Sequence, residues 1–465
     1  MTAPESTKRL IVVGAGPKAM AIAAKASVLR EMGFRIPEIT LIEQHSIGHH
    51  WKPESGFTNG QLSLGTSPEK DVGFPYYSFL WGDSINRKIN YRMQRFSWQN
   101  HLVDNHEYSE WIDRGKPAPT HTQWANYLHW VFKKVEGDIR LHQARVEELE
   151  IADGIWQVKT TTPDGNSVTL EADGVVLTGP GEAKFPFHVP NHPRVLTVPS
   201  FWKAFSHYAT LERGSIALVG AGETAATIAA SLGAANPRIQ MDIISPQAMT
   251  FSRGESFAEN HVYTDPFQAN WLQLTRQDRK NFISRTDRGV FSVAMKQELD
   301  RLRNVEIVPG KFTKVTVDSL DQLVVQIEYN SGEETRIYDH LIFSAGFDHA
   351  GLVNRLLSRN AQADILRQMG EITLTTRSLE NQIDHFLAVE KLTPYLHLPM
   401  LAGLNQGPGF PNLSCLGRLS DHVLARYVSV ESVTNLDNHF LAGVDEAFPL
   451  DGPSGTPHTT PVRCV

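Results

Sequence analysis

Two segments of the 465-residue chain have residue types and spacing suited to gripping a phosphorylated ligand. In the first, the apolar run Arg9–Val13 breaks at Gly14-Ala15-Gly16-Pro17-Lys18-Ala19 and resumes as an alanine-rich helix. Gly14 permits the tight turn, Gly16 lets the backbone approach a pyrophosphate, and small Ala19 allows close helix–strand packing. The unpaired N–H groups of the helix then face the anion. A second strand, Ile36–Glu43, ends in Glu43, an acceptor placed where a ribose hydroxyl needs one. The pattern recurs about 200 residues later as Gly220-Ala221-Gly222-Glu223-Thr224-Ala225, between the strand Ser215–Val219 and another small-residue helix, with a further strand at Gln240–Ile244. Each such unit can hold one dinucleotide, and the pair reads as one flavin and one nicotinamide nucleotide.

Other chemistries find less support. Cys415 and Cys464 are too far apart for a redox CxxC and too few for a disulfide framework or a cysteine metal site. His45, His49 and His50 lie close together but lack a second ligand cluster, so no metal is read. The net charge of −7 argues against nucleic acid or an anionic membrane as partner. No apolar run approaches the ~18 residues of a membrane span, and no signal peptide precedes the first strand. A cytoplasmic location is expected.

The elements that must position these turns point to an α/β fold: two Rossmann-like dinucleotide-binding domains with an inserted irregular, helical substrate region. Residues 1–190 read as the first part of an FAD-binding domain, followed by a proline-marked crossover at Pro186, Pro190 and Pro193. Residues 200–345 read as the nicotinamide domain, interrupted over 246–293 by a polar, aromatic stretch expected to carry a helix through Trp271–Ile283. Residues 346–445 return to the first domain, with a helix to about Ser432, and 446–465 read as a flexible tail. A capped amphipathic helix is expected after Pro117–Thr120, its Trp124, Tyr127, Leu128 and Val131 facing the core. Strands are expected at Ile139–Ala144, Trp156–Thr162, Val168–Ala172 and His340–Phe347. Residues 80–116 show no clear period.

The chain resembles the flavin-dependent N-hydroxylating monooxygenases, among them the ornithine and lysine N-monooxygenases of siderophore assembly. The resemblance rests on GAGPKA at Gly14–Ala19, HHWKP at His49–Pro53, GQLSLG at Gly60–Gly65 and PAPTHTQWANYLHW at Pro117–Trp130. It extends through GAGETA at Gly220–Ala225, NHVY at Asn260–Tyr263, SAGF at Ser344–Phe347 and GRLSDH at Gly417–His422. It implies that NADPH reduces bound FAD and that O₂ forms a C4a-hydroperoxyflavin attacked by a primary amine of an amino acid or diamine. The chemistry is then the cofactor's, with no catalytic side chain assigned. By the same resemblance Gly14, Gly16, Pro17, Ala19 and Glu43 hold the ADP part of FAD. His50, Trp51, Gln61 and Val146 lie near the flavin, and Ser420, Asp421 and His422 close its site. Gly220, Gly222, Glu223, Thr224 and Ala225 receive the nicotinamide nucleotide. Gln61 and Asn260, His261, Val262 and Tyr263 face the substrate. A homo-oligomer, dimer or tetramer, is expected.

The chain departs from the family at Thr66, where a Lys is usual, with Lys70 displaced, and at Val290, where an Asn is usual. Arg288 is the candidate replacement carboxylate clamp. Arg253 is the candidate for a 2′-phosphate, and NADH stays open beside NADPH. Two other functions stay open: a flavin monooxygenase oxidising carbon or sulfur in the Baeyer–Villiger manner, and a flavin-bound, non-catalytic scaffold.

Overall fold

A computed structural model describes residues 7–428, apart from 186, 248 and 249. The expected tail over 446–465, the helix beyond residue 428 and Pro186 of the crossover lie outside the described residues.

Two parallel five-stranded sheets carry the two glycine turns. In the first, Arg9–Val13 is central, between Glu38–Glu43 and Gly174–Leu177, with Arg140–Gln143 and Tyr395–His397 at the edges. In the second, Gly214–Val219 is central, between Ile239–Ser245 and His340–Phe343, with Val305–Pro309 and Val195–Thr197 outside. The central strands are apolar because both faces are covered; Leu10, Val12, Ile216 and Leu218 are fully buried. Each turn therefore sits at the carboxyl end of a central strand, where ligands bind open α/β sheets.

The helix His121–Val135 begins with Thr120 and Gln123 in a reciprocal capping box and buries Trp124, Tyr127, Leu128 and Val131. The stretch 80–116 folds as the helices Asp83–Met93, Trp98–Asp104 and Tyr108–Asp113. They are short and pack through aromatics, so no long periodic stripe marks them. A strand absent from the expectations, Arg145–Ala152, forms an antiparallel sheet with Ile155–Thr161 and Ser167–Ala172. The single helix expected over Trp271–Ile283 is instead a 3₁₀ turn, Trp271–Gln273, and a helix, Arg276–Thr286, because the Thr275 hydroxyl caps a new N-terminus at Asp278 N–H. The strand expected to Phe347 stops at Phe343. Phe347–Asp348 then pairs antiparallel with Glu182–Ala183. The last described helix, Leu416–Ala425, ends before Ser432. No helix among the described residues is long and apolar enough to cross a membrane.

The insertion is pinned onto the first sheet's side of the molecule. Arg418 and Asp265 form a buried ion pair at 2.5 Å, Trp271 Nε1 donates to the Leu404 carbonyl at 3.2 Å, and Arg253 donates to the Gly65 carbonyl at 2.6 Å. These ties bring Asn260 and its neighbours over the loops that follow the first glycine turn.

Candidate active site

At the first turn Gly14 has φ +96°, and a Cβ there would strike the Thr178 hydroxyl, so only glycine fits. Gly16 is different: its φ of −89° suits any residue, and a Cβ there would meet nothing within 4 Å. The helix Pro17–Glu31 has proline in its first turn and no side-chain cap, leaving its amides open to an anion. Ala19 is fully buried against the strand. Glu43 closes the turn from the next strand: Ala15 N–H donates to Oε2 and His45 N–H to Oε1, each at 3.0 Å. A carboxylate has about four acceptor sites, so capacity remains for a hydroxyl.

The second turn repeats the geometry. Gly220 has φ +119° and lies against the Ser344 carbonyl, while a Cβ on Gly222 would meet nothing within 4 Å. The helix Glu223–Ala235 lacks a side-chain cap, Ala225 is buried and Thr224 is exposed. The Glu223 carboxylate accepts the Ser292 N–H at 2.6 Å, which ties the turn to the start of the helix Val293–Leu299.

Beside the first turn's loops lies a cavity of about 620 Å³. Trp51, Leu64 and Thr66 form one side; Arg253, Asn260 and Tyr263 of the insertion form the other, with Thr286 and Asp287 at its end. Lys70 reaches across, its Nζ donating to Asn260 Oδ1 at 2.8 Å. Asn260 is held by its own amide, which donates to the Glu255 carbonyl at 2.9 Å. Tyr263 Oη and Thr286 Oγ1 share a hydrogen bond at 2.8 Å. Burial lowers the Lys70 ammonium pKa, and it lowers that of Lys18 on the first turn to about 8. His50 stacks on Phe57 with centroids 4.3 Å apart; burial, then nearby His121, pushes its pKa down to about 4. Trp51 meets His121 edge to face at 4.8 Å.

The L-lysine 6-monooxygenase/L-ornithine 5-monooxygenase family model matches residues 92–349, more than half of the chain. The L-lysine N6-monooxygenase MbtG of Mycobacterium sp. (strain MCS) is 41% identical over 426 residues, covering 90% of this chain and 95% of that protein. The chain belongs to this family. It is an N-hydroxylating flavin monooxygenase. Among solved structures, the lysine monooxygenase NbtG from Nocardia farcinica, described as having an unprecedented NADPH domain conformation, superposes with a TM-score of 0.79. Its identity is 37%, over 90% of this chain and all of that one. The ornithine N-hydroxylase KtzI from Kutzneria sp. 744, solved with reduced FAD, NADP⁺ and L-ornithine, shares the fold at a TM-score of 0.72. That match has 16% identity over 91% of this chain and 99% of KtzI.

Within this family framework several residues stand elsewhere than expected. Asn260 and Tyr263, three apart on the helix Phe257–Thr264, share the cavity face, whereas His261 and Val262 are off its wall. Gln61 is on an exposed loop outside the cavity. Val146 is buried in the strand Arg145–Ala152, which follows Ala144, whose N–H donates to the Glu43 carbonyl. Arg253 donates to the Gly65 carbonyl and to Glu255 Oε1 at 2.7 Å, on the cavity wall. The adjoining strand Phe251–Ser252, paired with Val290–Phe291, carries it toward the first domain's loop. Arg288 lines the adjoining cleft beside Met400 and Gly403, which shares Asp287 with this cavity.

Ser420, Asp421 and His422 do not close the site with their side chains. Ser420 donates to the Gly417 carbonyl at 2.8 Å, and His422 Nδ1–H donates to the His385 carbonyl. Asp421 accepts from Lys25 Nζ at 2.7 Å and Trp81 Nε1 at 3.0 Å, inside the packing of the helices Leu416–Ala425 and Pro17–Glu31. A buried carboxylate needs such partners, so its position follows helix packing. Lys70 is the residue the displaced spacing concealed: the loop between Thr66 and Lys70 folds so that the later lysine reaches Asn260. Asp287 and Thr286 carried no sequence signal, since a helix end is where they acquire their direction.

Proposed function

We propose that the chain holds FAD at Gly14–Ala19 and NADPH at Gly220–Ala225 and uses O₂ to hydroxylate the terminal amine of L-lysine. The balanced reaction converts amine, O₂, NADPH and a proton into hydroxylamine, water and NADP⁺. The reading is carried by the cavity in which Lys70 and Asn260 pair across the two sides, with first-domain loop residues facing the insertion. Both turns fit a dinucleotide, because the space before each uncapped helix is open at Gly16 and Gly222. The names of the relatives near 40% identity support lysine over ornithine. In domain terms, 1–190 with 346–445 serve the flavin and 200–345 the nicotinamide nucleotide.

Bound flavin, reduced by the nicotinamide nucleotide, supplies the activation of oxygen. The protein's own groups do the rest. Gly16 with the Lys18 and Ala19 amides receives the flavin pyrophosphate, and Glu43 its ribose. Lys70 and Asn260 take the substrate carboxylate. An alkyl ammonium of pKa near ~10 has no lone pair for attack, so the site must favour the free amine. The same burial that lowers the pKa of Lys70 acts on a substrate amine placed between these walls. Trp51, Leu64 and Tyr263 limit the water that reaches it.

The test is hydroxylamine formation by the full chain with NADPH or NADH and a panel of L-lysine, L-ornithine, aspartate and diamines. Hydroxylamine coupled to NADPH oxidation with L-lysine is expected. Oxygen uptake that yields no hydroxylamine from any amine overturns the proposal.

A further inference from the structure

The cavity wall carries one carboxylate that the arrangement above leaves without a task. Glu255 is committed to Arg253, and Asn260 to Lys70. Asp287 also lines the cavity, yet among the described residues no donor hydrogen-bonds its carboxylate. The nearest basic group is Arg288 Nε at 3.8 Å, too long for a hydrogen bond, and that side chain is 60% exposed. Asp287 nevertheless has a defined place. It ends the helix Arg276–Thr286, its N–H donates to the Ile283 carbonyl at 2.9 Å, and the preceding Thr286 is held by Tyr263 and by Gly254 N–H. Carboxylate and helix C-terminus both present negative charge to the cavity, and both favour a cation.

We propose that Asp287 binds the α-ammonium of an amino-acid substrate, completing with Lys70 and Asn260 a receptor for a zwitterionic head group. This rests on the proposed function above. The charges fit: an α-amino acid carries ammonium and carboxylate on one carbon, so its receptor needs both signs within one cavity. Asp287 lines the same cavity as the cationic Arg253 and Lys70. Burial raises the carboxyl's pKa while Arg288 and Arg253 oppose that rise, so an incoming cation adds to their effect. The terminal amine then extends away from this pole, toward Trp51 and the first turn's loops. The consequence is selectivity for a free α-amino group over deaminated analogues of equal length.

The experiment uses the holoenzyme with NADP⁺ and compares L-lysine with 6-aminohexanoate, which lacks only the α-amino group. Calorimetric affinities are measured for wild type and Asp287→Asn, with kcat and KM for L-lysine alongside. Wild type is expected to bind lysine more tightly. Asp287→Asn should weaken lysine binding about tenfold or more, leave 6-aminohexanoate unchanged and keep kcat near wild type. Asp287→Glu, which retains the charge, should recover part of the preference, and flavin content verifies that each variant is folded. Equal weakening of both ligands, or no weakening for lysine, overturns the assignment. A wild type that forms no hydroxylamine from lysine overturns the proposed function and this assignment together, and that result is visible before any variant is made.

Discussion

Gly16→Val separates a glycine needed for ligand from a glycine needed for folding. Gly16 has an ordinary φ of −89° and an open Cβ direction, so valine there should change folding stability by less than about 1 kcal/mol. The added side chain does occupy the space in front of the uncapped helix, where the Lys18 and Ala19 amides would meet a pyrophosphate. A hydrogen bond to a charged group is worth about 1.5–3 kcal/mol. Losing those amides removes about 3–6 kcal/mol, roughly a hundred- to ten-thousand-fold in flavin affinity. Gly14→Ala is the contrast: its φ of +96° and the Thr178 hydroxyl make it a folding defect. The assay is flavin absorbance after dialysis and titration of FAD into the apoprotein, with circular dichroism to monitor the fold. A folded Gly16→Val protein that stays yellow with unchanged affinity would refute the placement of flavin at this turn. Gly222→Val, equally open, should keep its flavin and slow its reduction by NADPH; normal reduction would move the nicotinamide site elsewhere.

Other measurements probe the positioning residues. Lys25→Met strands the buried Asp421, whose Oδ2 already lacks a partner, and should cost about 3–5 kcal/mol in denaturant unfolding. Lys25→Met with Asp421→Leu should recover most of that loss; a slowed flavin reduction at unchanged stability would instead return Asp421 to the flavin site. Lys70→Met should raise KM for L-lysine about tenfold and spare cadaverine, which has no carboxylate; an equal rise for both contradicts the carboxylate role. Burial pushes the His397 pKa from 6.5 to about 4, so the folded state refuses a proton that the unfolded state binds. Stability from this group is present above pH ~6.5 and lost as pH falls toward ~4, by about 3 kcal/mol. His397→Gln should flatten that part of the stability–pH curve, and an unchanged slope contradicts the burial of a neutral ring.

The two glycine turns were legible because their requirements are local. A strand, a positive-φ glycine, an open glycine and an uncapped helix lie within a few residues of one another, and each demands a particular residue type. The capped helix at His121–Val135 was readable for the same reason. The cavity was not, because its wall is assembled from separate parts of the chain. Lys70 meets Asn260 across 190 positions, and Asp287 gains its direction only from the end of a helix. The motif at Gly417–His422 showed the converse: its polar residues looked like site residues, yet Asp421 faces Lys25, 396 positions earlier, between two packed helices. Local backbone geometry thus settled where the two glycine turns fall, whereas charge pairing between distant segments decided which side chains line the cavity. Coulombic and hydrogen-bond partners depend on separation in space, which the order of residues along the chain does not contain.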